Sequence, residues 1–391
     1  MGMHSAIDLK GFAGAVDALR AELDAELGPA DVSHLKRIAI YGRAWTAAGY
    51  ATAWLFPNPF SAFALAFGTF IRWAVLAHHT LHRGYDRIPG VPRRFTSRGF
   101  ARGWRRAVDW LDWLAPDAWR HEHNLLHHCR LNEDPGDPDL VEALVEWHGP
   151  LPRFVRWLLF AVYTVAWKPL YYAPNTLRLH LNAAARLRDP SALGVRLGAP
   201  CLANPFHPYG RRVWLRCWLP YAVWRFGVAP ALFLPLGWWA WMSVLVNSLL
   251  AEAVTNAHAF LMIVPNHAGD DLYRFDGPVK GGKGEFYVRQ IVGTANYRSG
   301  GNATDLLHGW LNYQIEHHVW PDLTLRQYQR AQPRLKALCE RFGVPYVQES
   351  VFRRFRKLVA IAMGRAAMRR APAIGPADRF DAAEHGEQTA A

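Results

Sequence analysis

The sequence predicts an all-α integral membrane protein, with two transmembrane helical hairpins (four spans) under a cytosolic helical cap. Three observations carry this. Apolar runs come in pairs joined by short uncharged turns that contain proline. Hydrophobic residues make up 51% of the 391, yet the mean hydropathy is -0.09, which fits a few spans and a large water-facing part. Three histidine clusters, far apart in the chain, each lie beside apolar sequence, where ionisable groups are costly and usually functional.

Residues 1–38 read as an amphipathic cytosolic or interfacial lead-in, because Leu9, Phe12, Val16, Leu19, Leu23 and Leu27 follow helical spacing. The membrane domain is set at 39–345. Its first two apolar runs, 39–56 and 60–77, are each close to the lower limit for a span, about 17 residues. Pro57-Asn58-Pro59 between them reads as a hairpin turn. Three more apolar stretches follow at 154–173, 213–236 and 238–264. If the clusters form one site they share a membrane face, so an even number of crossings separates the second from the third. The stretch 154–173 carries Arg156 and Lys168-Pro169 and is therefore assigned to an interfacial helix. The other two form a second hairpin turning at Pro235-Leu236-Gly237, and both termini lie in the cytosol. Residues 266–301, with Gly281-Gly282-Lys283-Gly284, read as a loop that lacks the strand–loop–helix setting of a phosphate cradle. Residues 346–391 are assigned to a C-terminal helix and, from about Gly364, a disordered tail. No internal repeat is evident.

The formal charge of +13 is concentrated after the first cluster, at Arg83, Arg87, Arg93, Arg94, Arg98, Arg102, Arg105 and Arg106. Beside a span this is a cytoplasmic loop under the positive-inside rule. No nucleic-acid-binding module accompanies the charge. The 18 tryptophans, many near the ends of apolar runs, suit a membrane–water boundary. Cys129, Cys201, Cys217 and Cys339 form no CxxC, so neither a disulfide framework nor a zinc ribbon is indicated. The amino terminus has no short apolar signal core, so the chain is expected to insert through its own spans. Abundant Ala and Arg suggest a bacterial source, hence a cytoplasmic membrane.

The clusters are His78-His79-Thr80-Leu81-His82, then His121-Glu122-His123 with His127-His128, and finally Gln314-Ile315-Glu316-His317-His318. Imidazole suits iron, copper, zinc and nickel. His78 and His82, four apart, project from one face of a helix, whereas His79 points about 100° away. His123, His127 and His128 repeat the four-residue spacing with one neighbour added. Asn312 and Gln314 are placed to orient ligands. Glu122, Glu316 and the acidic turn at 133–139 suit either ligand support or a loop-fixing role. Isolated histidines (His4, His34, His148, His180, His207) are expected on the surface or satisfied in the core. Haem clamped by paired histidines is the binding-only alternative, but it needs only a few axial ligands. Zinc takes three or four protein ligands and HExxH is absent. More than six imidazoles point to two metals.

Boxes reading HxxxH, HxxxHH and QxxHH, interleaved with two helical hairpins, resemble the membrane fatty acid desaturase and hydroxylase family over roughly residues 40–330. The string from Leu311 to His318, closed by Pro321, resembles the acyl-chain desaturase branch in particular. The resemblance implies a di-iron centre with ligands His78, His82, His123, His127, His128, His317 and His318. It also implies one further ligand after the last span, for which His267 stands first and His258 second. His79 occupies a position that is often acidic in relatives, so its role stays open. Dioxygen is the implied co-substrate, and a lipid or acyl thioester is the substrate. Desaturation of a long acyl chain is the implied reaction, with acyl-chain or lipid hydroxylation as the alternative from the same boxes. No HPGG haem signature is present, which implies a separate electron donor: a ferredoxin, or a small haem protein with its reductase.

Overall fold

The computed structural model describes residues 7–142, 151–189 and 204–371. His4, His148, Cys201 and most of the C-terminal tail lie outside them. The described chain is mostly helical, with two small parallel strand pairs.

Helix α1 (Leu9–Ala25) starts where the Asp8 side chain accepts from Gly11 N. Its apolar stripe of Phe12, Val16, Leu19 and Leu23 is buried against the protein itself, chiefly the helices 282–292 and 325–342. The lead-in then breaks at Gly28-Pro29. Helix α2 (Pro29–Ala53) runs unbroken through residue 38, because the drop in charge there is a change of composition within one helix. Pro57-Asn58 makes the expected turn. Asn58 Oδ1 accepts from Ser61 N at 2.8 Å, capping α3 (Pro59–Leu81).

After α3 the Arg-rich segment holds a short helix, α4 (Arg105–Asp109). Helix α5 spans 116–127 and helix α6 spans 153–188, both widening into π turns part-way. The charges that marked 154–173 as interfacial have protein partners. Lys168 Nζ donates to Asp112 at 2.7 Å with both side chains buried, and Arg156 Nη1 donates to Met363 O at 3.1 Å. Helices α7 (Pro208–Leu236) and α8 (Trp238–His267) meet at Gly237, whose φ of 106° lies in a region that glycine enters freely. The Asn247 side chain joins the two hairpins. Its Oδ1 accepts from Asn58 N at 3.0 Å, and its Nδ2 donates to Ala53 O at 2.9 Å.

Among the described residues, three helices are by length and composition apolar enough to cross a membrane: α3, α7 and α8. Helix α2, with Lys36, Arg37 and Arg43, is long but less apolar, and packs along α3.

The segment 266–301 is more than the predicted loop. It contains strand β1 (Tyr273–Phe275), helix α9 (Gly282–Val292) and strand β2 (Asn296–Tyr297). Its glycines had argued against a helix; they serve close packing. A Cβ on Gly284 would sit 2.3 Å from Leu9 O, so glycine lets α1 lie directly on α9. The segment thus has the strand–loop–helix order not expected from the sequence, and Glu285 itself accepts from the backbone N–H groups of Lys280 and Gly281 at the start of α9.

Helices α10 (Asn302–His308), α11 (Gln314–Val319) and α12 (Leu325–Phe342) follow. Strand β3 (Gln348–Glu349) pairs with β2, and α13 (Val351–Ala362) leads to β4 (Arg369–Ala371), which pairs with β1. The stretch read as tail from Gly364 is therefore ordered as far as Ala371.

Candidate metal centre

Each histidine cluster sits where a helix ends or widens. His78 ends the π stretch Ile71–Ala77 of α3, and His82 N donates to His78 O at 3.0 Å, an α-type turn that stacks the two rings on one side. In α5 the turn is wider, and His128 N donates to His123 O at 3.1 Å. In an α-helix, positions five apart diverge by about 140°; the i→i+5 turn brings them back onto one side. The pair that works together is therefore His123 with His128, five apart, rather than the four-apart pair the spacing suggested. His317 and His318 are adjacent on the short helix α11. His267 sits on the 3₁₀ turn that closes α8.

These eight histidines form two groups of converging ring nitrogens. His78, His82, His123, His128 and His317 make the first, and His127, His267 and His318 the second. All eight are buried. The groups adjoin, since the His128 and His318 rings stack with centroids 4.3 Å apart. Each doublet is divided: His127 and His318 serve the second group, His128 and His317 the first.

The arrangement fits metal ions. His78 Nε2 and His123 Nε2 stand 3.0 Å apart, as do His267 Nε2 and His318 Nε2. Two imidazoles bound at right angles on bonds of about 2.1 Å would have nitrogens about 3.0 Å apart. The Nε2 atoms of His82, His128 and His317 are buried without a hydrogen-bond partner, which is costly unless something else takes up the lone pairs. Burial, reinforced by neighbouring imidazoles, pushes the pKa of His82, His123, His128, His317 and His318 well below 6.5. They are thus held in the neutral form, the one in which an imidazole can bind a metal.

Several of the other ring nitrogens are anchored, whereas His123 Nδ1 and His128 Nδ1 are buried without a partner. His127 Nδ1 donates to Asp137 at 2.9 Å; burial opposes charge on this ring, but the carboxylate outweighs it and raises the pKa above 6.5. Asp137 also accepts from Asn132 N at 2.8 Å and Asp139 N at 2.9 Å, so the acidic turn both fixes the loop and orients a ring. His318 Nδ1 meets Gln290 Oε1 at 3.2 Å, and His317 Nδ1 meets the Tyr328 hydroxyl at 3.1 Å. Gln314 Nε2 lies 3.2 Å from His267 Nε2. Asn312, expected beside the rings, instead donates to Asp305 at 2.7 Å. Glu316 faces away, accepting from Asn296 at 2.8 Å and Tyr346 at 2.6 Å, and burial pushes its pKa up to about 7. Burial, with Asp139 beside it, raises Glu122 well above 4.5.

His79 belongs to neither group; its Nε2 lies 3.5 Å from Gly309 O. His258 is also outside, its Nε2 bound to Leu307 O at 2.8 Å and its ring stacked on Phe70. The isolated histidines have ordinary roles: His34 packs against Trp310, His180 pairs with Asp117 at 3.5 Å, and His207 caps a helix.

The family sequence model described as "Fatty acid desaturase" matches residues 52–350. The chain belongs to the fatty acid desaturase family. The desaturase relatives include the "NADPH-dependent stearoyl-CoA 9-desaturase" of Mycobacterium tuberculosis, 23% identical over 90% of this chain and 78% of the relative. The "Delta(5) fatty acid desaturase A" of Dictyostelium discoideum is 23% identical over 69% of this chain and 55% of its own length. The "sn-1 linoleoyl-lipid 6-desaturase" of Synechocystis is 24% identical over 63% of this chain and 65% of the relative. Together with the histidine groups, these desaturases support a desaturase-type oxidoreductase, and the apolar helices support a membrane protein.

Proposed function

We propose that this chain is an oxygen-dependent membrane oxidoreductase that places a double bond in a long-chain fatty acyl group, using two irons held by the eight histidines. The observation that carries the reading is the adjoining pair of histidine groups, five donors and three, in a desaturase-family chain. Bound iron would supply dioxygen activation, in which reduction to two waters takes two hydrogen atoms, each a proton with its electron, from the acyl chain, two further electrons from a donor and two protons from solvent.

The protein's part is to hold, orient and keep dry. The imidazoles that burial keeps neutral bind without competing protons, whereas His127, beside Asp137, must first give one up. Asp137, Gln290 and Tyr328 fix three rings from behind, an arrangement that raises ligand basicity and sets orientation. Burial of all eight rings limits water at the site.

Helices α2, α3, α7 and α8 would cross the membrane as two hairpins. Helices α3 and α8 end at His82 and His267, so both far ends meet at one site on one face, taken here as the cytosolic one. On that face a cavity of about 660 Å³ has His82 in its wall, with Arg83, Arg87 and Arg120 around it. The relatives are named for acyl-CoA and for lipid-linked substrates, so the acyl chain is the common element.

Metal analysis of the detergent-purified chain, with an optical spectrum of the same sample, tests the centre. Two irons per chain without a Soret band are expected; haem or zinc would overturn the reading. Fatty acid analysis of cells expressing the chain then separates the outcomes. New unsaturated acyl chains are expected, whereas hydroxylated chains alone would favour the hydroxylase.

A further inference from the structure

Away from the histidines, a cavity of about 190 Å³ lies between α2, α3 and the Arg-rich segment. Four cationic side chains line it: Lys36 and Arg43 from α2, Arg72 from α3, and Arg94. They are drawn from three segments up to 58 residues apart in sequence (94 − 36). Among the described residues none of the four makes a side-chain hydrogen bond or ion pair; Arg94 only lies over the Phe95 ring, 4.9 Å from its centroid. The single carboxylate in the lining is Asp109. It is already taken, since Arg105 Nε and Nη2 reach its two oxygens at 2.9 and 2.6 Å.

Like charges gathered in one pocket repel unless an anion joins them. Arg72 sits on a helix apolar enough to span a membrane, where a guanidinium is costly, and Tyr50, Tyr221 and Asp112 offset part of its charge from outside the pocket. The rest of the wall is apolar, with Leu76, Phe95 and Phe100 inside, while Ile40 and Val108 on the rim are more than half exposed (62% and 54%). Trp104 nearby is 74% exposed, as expected of an aromatic at the membrane boundary. A charged floor with an apolar rim fits an anionic amphiphile. Guanidinium forks match phosphate oxygens, and basic pockets between spans take lipid headgroups.

We propose that this pocket binds the phosphate of an anionic membrane lipid, whose acyl chains lie along Ile40 and Val108. The site is separate from the histidine groups and rests only on the membrane reading.

The test is native mass spectrometry on the full chain in detergent, with phosphatidylglycerol or phosphatidylcholine added in turn. The unaltered chain should retain phosphatidylglycerol at least about tenfold better, because the choline cation is repelled by the same four charges. The double variant Lys36→Gln/Arg94→Gln should retain it on the order of twentyfold less well, about fivefold for each cation removed. Both residues are exposed, so unfolding temperature and iron content should hold. Arg94→Gln alone gives the same comparison with a fivefold effect if the double variant folds poorly. Equal retention of the two lipids, or unchanged retention in the variants, would overturn the proposal. Displacement of the lipid by millimolar inorganic phosphate would also overturn it and assign the pocket to a free anion. A chain lacking iron but keeping the lipid preference would count against the metal reading alone.

Discussion

At the scale of single residues, the centre divides into donors and the groups that aim them. His123→Ala or His317→Ala should abolish activity and lower iron content, because each removes a donor from the larger group. His258→Ala should leave iron content unchanged, since that ring faces Leu307 O and Phe70. Equal iron loss in His258→Ala and His267→Ala would reverse that assignment. Asp137→Asn should weaken iron affinity about 10–100-fold while the fold persists, measured by chelator competition. The donors were legible in the sequence because their spacing is regular and local. Gln290 and Tyr328 were not, since each is a lone residue brought to its ring by the packing of another helix. Asp137 fell between: the acidic turn was visible, but only folding shows which of its carboxylates meets a ring.

The elements explain why helical periodicity alone does not say which histidines of the second box converge. Spacing rules assume 3.6 residues per turn, and the π turn at 122–127 departs from that without any local sequence mark. Gly284 likewise reads as loop because its packing role depends on α1, more than 250 residues earlier in the chain. Another long-range contact holds His267 in place. The fully buried Arg354 on α13 donates to Asp271 at 2.7 Å, to Ala268 O at 2.8 Å and to Pro265 O at 3.2 Å, bracketing the turn. Arg354→Ala should cost about 1–3 kcal/mol, because the buried carbonyls of Pro265 and Ala268 lose their donor while Asp271 keeps Lys357 at 2.7 Å, and should lower iron content as well. Burial alone would raise the Asp271 pKa, but Arg354 and Lys357 outweigh it and hold it below 3.8. Its stabilising contribution is therefore complete above pH 3.8 and lost as pH falls through the depressed value. In acid-unfolding curves, the advantage of the unaltered chain over Asp271→Asn should shrink only in that acidic range. An advantage that stays constant into strong acid would show that the ion pair contributes little.

For the whole molecule, the apolar runs at α3, α7 and α8 were readable from hydropathy, and the four-crossing count is the proposal built on them. The same count is less clear at α2, whose basic residues dilute its apolar stretch while its packing on α3 is kept. The four-crossing reading predicts that the Phe56 and Leu236 turns lie on the face opposite Cys129. Maleimide should label Phe56→Cys and Leu236→Cys in intact cells, and should reach the exposed Cys129 only after permeabilisation. Labelling of Cys129 and Leu236→Cys from the same side would remove the second hairpin.

The divided doublets have a consequence for loading. Each ties both histidine groups to a single turn of helix, so filling one group fixes the helix that must present the neighbouring ring to the other. Uptake should then be all-or-none. Adding ferrous iron in substoichiometric amounts to the metal-free chain should give a mixture of empty and doubly filled molecules. Accumulation of chains carrying one iron would mean that the two halves load independently despite their shared turns.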